Sequence, residues 1–219
     1  MILLNPNMDI TYLGHSSFKI KTKTATVVTD PFSPEMVGFK FPKAEADMVT
    51  VSHPHKDHDF VAGITGDPLV ISQPGEYEAK GISFFGFPAL HGGKTEAEKS
   101  ANTIFLIEAD GLSICHLGDL GEMPSPKIME EIIGADILMV PVGGTYTFGP
   151  KEAVEIVHHI EPSIVLPMHF KAPNLPELSG LEEFLDEMGV EKAEKLDKLS
   201  VVKDKLPEET KVVVLERKA

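Results

Sequence analysis

The chain has 219 residues with 42% hydrophobic composition, which suffices for one substantial domain with a real core and excludes disordered and fibrous classes. Lys and Arg total 20 against 34 Asp and Glu, a formal charge of −14 whose field repels phosphate backbones and disfavours nucleic acid as a partner. No stretch approaches the ~20 apolar residues of a membrane span, and the start, Met1-Ile2-Leu3-Leu4-Asn5-Pro6, lacks the basic residues and apolar length of a secretory leader.

Along the chain, β-type runs come first: residues 9–13, 18–21, 25–29 and 47–51, then 69–72, 81–90, 102–108 and 112–116. Ala109-Asp110-Gly111 between the last two reads as a hairpin turn, because Asp-Gly supplies the positive φ values such turns need. Cys115, the only cysteine, sits inside an apolar run. It excludes an intramolecular disulfide, suits a packing role, and fits a reducing cytoplasm as the expected location. After Asp119 the texture changes. A helix is expected over 126–133, with Pro126 near its start and Gly134 past its end. A strand over 136–141, an amphipathic helix over 150–160, a strand over 163–167, a helix over 180–188 and a strand over 211–215 follow. Glu182, Glu183, Asp186 and Glu187 read as the wet face of the 180–188 helix. A β-rich first half followed by an alternating half predicts an α/β fold of two facing sheets with helices outside, a four-layer αββα sandwich. No linker divides the chain, so residues 1–219 are expected to form a single domain. Segment 92–100 is the best candidate for a mobile loop at a pocket mouth, with a plain surface turn as the other reading.

The most informative stretch is the octet V-S-H-P-H-K-D-H at residues 51–58. His53, His55, Asp57 and His58 fall within six positions, straight after the apolar run Met48-Val49-Thr50-Val51. Neutral imidazole and carboxylate are the donors that borderline and hard divalent cations prefer. In an extended segment His53 and His55 can reach one point, while Asp57 and His58, past the bend, can serve a second beside it. A lone His-x-His would be a solvated loop; four donors in this order form a site. Three further residues strengthen the case, since His91, Asp119 and His169 each follow an apolar β-type run. Donors placed repeatedly at strand ends define one rim of a sheet framework, where active sites of layered α/β proteins gather.

An H-x-H-x-D-H stretch after a strand, with separate His, Asp and His residues at later strand ends, resembles the metallo-β-lactamase superfamily. The stretches Tyr12-Leu13-Gly14-His15-Ser16-Ser17, Pro141-Val142-Gly143-Gly144-Thr145-Tyr146-Thr147 and Pro167-Met168-His169-Phe170 are similar to a compact branch that includes L-ascorbate-6-phosphate lactonase. The resemblance implies a first metal on His53, His55 and His91, a second on Asp57, His58 and His169, and Asp119 bridging them. It also implies that Asp30, in Val27-Val28-Thr29-Asp30-Pro31-Phe32, steadies the histidine loop without touching metal.

Such a donor set implies two divalent ions, zinc first, with manganese or iron also fitting. It points to a metal-dependent hydrolase of a small molecule, a lactone, ester or phosphoester, using a hydroxide that bridges the ions. Asp57 is the candidate for orienting that nucleophile and relaying its proton. His15, in a Gly-His-Ser-Ser turn, is a candidate for substrate binding or proton transfer. Tyr146 and Thr147 can offer hydroxyls to substrate, an ordinary loop role standing beside that reading. His116 reads as a hydrogen-bonded core residue, and His158 and His159 as structural residues at a helix C-terminus. A nuclease of the same fold and a di-iron redox protein are the rival functions, and a non-catalytic metal binder is a third. Acidic charge weighs against the nuclease, the lack of a second redox module against the di-iron protein, and the complete donor set against the non-catalytic binder. A homo-oligomer remains open.

Overall fold

Odd and even positions of the strands serve different cores, and this period-2 division stacks the chain into layers. The computed structural model describes residues 8–92 and 99–218, so positions 93–98 of the loop expected over 92–100 lie outside the described residues. The first half carries β1 (Met8–Gly14), β2 (Ser17–Lys21), β3 (Thr26–Thr29), α1 (Pro34–Val37), β4 (Ala44–Glu45), β5 (Met48–Thr50), β6 (Ile64–Thr65) and β7 (Leu69–Ile71). Next come β8 (Gly75–Ala79), β9 (Ile82–His91), β10 (Ser100–Ala109), β11 (Leu112–His116), α2 (Pro126–Ile132) and β12 (Ile137–Pro141). The chain finishes with α3 (Pro150–Ile160), β13 (Ile164–Met168), α4 (Leu181–Glu187), β14 (Glu194–Leu196), β15 (Leu199–Val201) and β16 (Lys211–Leu215).

Among the described residues, β15-β1-β2-β3-β5-β7 form a six-stranded sheet and β14-β16-β13-β12-β11-β10-β9-β8 an eight-stranded one, with β4 and β6 as a separate ribbon. Met8, Ile10 and Tyr12 of β1 point between the sheets and meet Phe84, Phe105, Ile107 and Met139. The alternate residues Leu138, Val140 and Val165 face the other way, onto helices. α3 supplies Ala153, Ile156, Val157 and Ile160, the i, i+3, i+4, i+7 stripe of a helix with one buried face. Ile132 of α2 and Phe184 of α4 join them. Outside the six-stranded sheet, Leu13, Val28 and Val49 pack with Val37 of α1 and with Phe32, Phe41 and Ile64. The architecture is the expected mixed α/β sandwich. Its layer over the six-stranded sheet is thin, made of the single turn α1, a 3-10 turn at Val61–Gly63 and the β4–β6 ribbon. No described helix is long and apolar enough to cross a membrane.

Strand directions decide where the chemistry lies. β3, β5 and β7 are mutually parallel, as are β11, β12, β13 and β16. The antiparallel meanders β1-β2-β3 and β9-β10-β11 make β1 run with β3 and β9 with β11. The β10–β11 turn is the expected one: Asp110 and Gly111 take φ values of 54° and 80° and close the pair Ala109–Leu112. The C-terminal ends of β1, β3 and β5 therefore meet those of β9, β11 and β13 at one rim. Three hydrogen bonds join the two sheets there: His169 N–H to His15 O at 3.0 Å, His116 Nε2–H to Ser16 O at 2.9 Å, and Thr103 N–H to Ser52 O at 2.9 Å.

Candidate metal centre

Asp30 follows β3 directly, with φ at 37° and no exposed surface. Its Oδ1 accepts Ser52 N–H at 2.8 Å, and its Oδ2 accepts Ser52 Oγ–H at 2.5 Å and His58 Nδ1–H at 2.8 Å. Having given its proton to Asp30, the Ser52 hydroxyl accepts from His53 Nδ1 at 2.9 Å. His91 Nδ1 donates to Gly92 O at 2.9 Å. In each of these three rings the partner fixes Nδ1 as the donor and leaves Nε2 as the atom facing the rim. Carboxylate- and carbonyl-backed imidazoles of this kind are how metal-binding histidines are held in orientation.

Those free nitrogens converge. The donor atoms of His53, His55 and His91 lie within 4.8 Å of one another, as do those of His15, Asp57, His58 and His169. Asp119 stands between the groups, with Oδ2 at 3.1 Å from His169 Nε2, 3.2 Å from His58 Nε2, 3.2 Å from His91 Nε2 and 3.7 Å from His53 Nε2. Within this cluster His53 Nε2, His58 Nε2 and the other Asp119 oxygen, Oδ1, are buried without a hydrogen-bond partner. Buried polar atoms left unpaired are costly, and a cluster of them needs an explanation. Imidazole nitrogens crowding one carboxylate, two of them with no partner of their own, suit a shared cation. The residues fit divalent metal, and a nitrogen-rich set with carboxylates suits zinc, manganese or iron.

The electrostatics agree. Burial holds the His53 pKa down at about 3, and the neighbouring His58 charge adds to this. Burial also opposes charge on His58, but the Asp119 and Asp30 carboxylates outweigh it and raise that pKa well above the ordinary histidine value. Asp119 is held well below the usual carboxylate range, because His169 and His58 overcome the effect of its burial. Two buried carboxylates thus place negative charge around His58, which a dication held there would offset.

Backbone devices set these positions. Asp30, His15 and His169 all have positive φ, at 37°, 55° and 52°, which costs about 1–3 kcal/mol for each non-glycine residue. Gly118, at φ 58°, lets the chain pass the β5 end, where an added Cβ would lie 2.3 Å from Asn102 Oδ1 and 2.6 Å from Ser52 Cβ. Asn102 grips that turn from both sides: its Nδ2 donates to Leu117 O at 2.9 Å, and its Oδ1 accepts Asp119 N–H at 3.1 Å. Neither Ser52 nor Asn102 was expected to serve the site. A polar Asn within an apolar strand was the available signal, since strands disfavour Asn.

The structure brings His53, His55, Asp57, His58, His91, Asp119 and His169 to one rim, with Asp30 behind them. His15 is 1% exposed and bonded to Asp57 rather than open to solvent. Tyr146, 48% exposed, stands at the mouth, while the Thr147 hydroxyl donates to Phe148 O at 3.1 Å and does not line the cavity. His116 is satisfied at both nitrogens, by Ser16 O and by Gly118 N–H, as a hydrogen-bonded core residue should be. His159, in the last turn of α3, bonds Glu155 O at 2.8 Å. Cys115 is buried, and burial pushes its thiol pKa up. Over the cluster lies a cavity of about 460 Å³, walled by Met36, Leu175, Leu178 and Tyr146, with Lys56 and Glu177 as its charged groups outside the cluster.

Comparison with known proteins leads to the same place. Residues 9–169 match the family model described as a β-lactamase superfamily domain. A UPF0173 metal-dependent hydrolase of Methanoculleus marisnigri is 31% identical over 203 residues, covering 81% of this chain and 87% of the relative. A Thermotoga maritima structure, described as a candidate zinc-dependent hydrolase of the metallo-β-lactamase superfamily, is 37% identical with a TM-score of 0.78, covering 96% of this chain and all of that one. A metallo hydrolase of Ignicoccus hospitalis shares the fold at 22% identity and a TM-score of 0.66, over 97% of each chain. The chain belongs to the metallo-β-lactamase superfamily and is a metal-dependent hydrolase of it.

Proposed function

We propose that the chain, acting as one domain in the cytoplasm, hydrolyses a small-molecule lactone, ester or phosphoester with two divalent ions, zinc in the first instance. The observation that carries this reading is the pair of donor groups flanking Asp119 Oδ2, with buried nitrogens that find no partner within the protein. Bound there, divalent ions acidify water and polarise a carbonyl or phosphoryl oxygen. His53, His55 and His91 would hold one ion, Asp57, His58 and His169 the other, with Asp119 shared. Asp57, 15% exposed at its side chain and part of the cavity wall, would orient the attacking water and relay its proton. Asp30 keeps His58 turned to the site. A cavity of about 460 Å³ falls within the ~300–1,000 Å³ typical of small-molecule sites. Its apolar wall excludes water from one side of a substrate, and Lys56 and Glu177 offer opposite charges for orientation.

The test is a panel of lactones, phosphodiesters and thioesters offered to protein stripped of metal and then reloaded with zinc, manganese or iron. Turnover of a small lactone, ester or phosphoester should vanish on chelation and return with about two equivalents of metal. Turnover that survives complete removal of metal, or that is confined to polynucleotides, contradicts the reading.

A further inference from the structure

His15 lies in the second donor group, yet its geometry differs from that of its neighbours. His58 Nε2 sits 3.6 Å from Asp57 Oδ2 and 3.2 Å from Asp119 Oδ2, and makes no hydrogen bond. His15 Nε2, at 3.2 Å from Asp57 Oδ2, is aligned as a hydrogen bond to it. A ring nitrogen that ligates metal aims its lone pair at the ion, past neighbouring donor atoms. One that aims at a carboxylate oxygen is giving a proton to it. We infer that His15 is a positioning residue: its Nε2–H holds the Asp57 carboxylate in orientation for the second metal, and it is neither a metal ligand nor a substrate contact.

Its surroundings support this. His15 is 1% exposed and does not line the cavity, so a substrate has no route to it. Its ring packs against that of His169, with centroids 4.3 Å apart, and against that of His58 at 5.2 Å. Its backbone is pinned as well, since His15 O accepts both Tyr12 Oη–H at 2.9 Å and His169 N–H at 3.0 Å. With Nε2 as donor, Nδ1 is the unprotonated nitrogen, and it is the one left buried without a partner. Asp57 thus gains the kind of support that Asp30 gives His58, from the opposite chemical side: an imidazole behind a carboxylate instead of a carboxylate behind an imidazole.

The inference rests on the two-ion reading above, and the experiment separates the two. Zinc stoichiometry and affinity are measured by chelator competition on the full chain, for wild type, His15→Ala and His15→Gln. Glutamine places an amide N–H near the position of Nε2, and its neutral amide oxygen is a far weaker zinc ligand than imidazole. His15→Ala should bind the second equivalent about 10–100-fold more weakly, as is typical when a ligand loses its supporting partner. His15→Gln should return that affinity to near the wild-type value. Circular dichroism checks that both variants are folded. Loss of the second ion in both variants would make His15 a ligand and overturn the inference. Two tightly held ions in His15→Ala would overturn it as well. Wild-type protein that takes only one equivalent would sink the two-ion reading itself, and the inference with it.

Discussion

Asp119→Asn is expected to lower turnover by more than the ~10–100-fold that follows from losing a ligand's supporting partner, because it alters the carboxylate shared by both donor groups. The substitution is nearly isosteric, at a residue 1% exposed whose backbone N–H stays bonded to Asn102 Oδ1. It removes the negative charge that lies within 3.7 Å of four imidazole nitrogens. Without that charge, two dications would repel each other with less compensation, and the second equivalent should be held more weakly. Folding should change much less, since no hydrophobic contact is lost. Steady-state turnover on a substrate from the panel, compared with thermal unfolding of the metal-free protein, tests this. Full turnover in Asp119→Asn would mean that the shared carboxylate plays no part in the chemistry.

Asp30→Ala is expected to damage both fold and site. The carboxylate is wholly buried and accepts three hydrogen bonds, from Ser52 N–H, Ser52 Oγ–H and His58 Nδ1–H. Truncation strands these donors at about 1–3 kcal/mol each before relaxation. A net loss of about 3–5 kcal/mol is the usual result when one partner of a buried charged pair is removed. It also frees two rings at once, because His53 is held through Ser52 and His58 directly. Zinc retention should fall ~10–100-fold. Chemical denaturation of the metal-free protein, with chelator competition on the folded fraction, measures both effects. Unchanged values would reduce Asp30 to a turn residue.

Much of this fold is legible in residue periodicity. Continuous apolar runs such as Ile137-Leu138-Met139-Val140 and Ile104-Phe105-Leu106-Ile107 are buried on both faces, as inner strands of a covered sheet are. β8 was not expected, and the reason is its place: Gly75–Ala79 reads GEYEA, with both glutamates exposed on the edge of the eight-stranded sheet. An edge strand has one partner and a solvated side, so charges are tolerated and the hydrophobic signal fades. The three-residue strands β14 and β15 and the two-residue strands β4 and β6 are too short to carry a period, and α1 is a single turn.

The candidate site divides in a similar way. Residues whose types suit metal were legible because they follow strands: His91 ends β9, Asp119 comes three residues past β11, and His169 follows β13. Their supports were not. Ser52 and Asn102 act through hydrogen bonds to residues 22 and 17 positions away, respectively, and no local pattern announces such pairs. His15 stands out in its Gly-His-Ser-Ser turn as a candidate for substrate binding or proton transfer, but its partner Asp57 is 42 positions away. Only the folded rim shows which way its ring nitrogen points.

X-ray diffraction at the zinc absorption edge, from crystals of the zinc-loaded protein, tests the central claim most directly. Two anomalous peaks are predicted, one with His53, His55 and His91 and the other with Asp57, His58 and His169, and Asp119 between them. Each donor atom should lie at ~2.0–2.3 Å from its ion. A single peak, or peaks away from Asp119, would contradict the account.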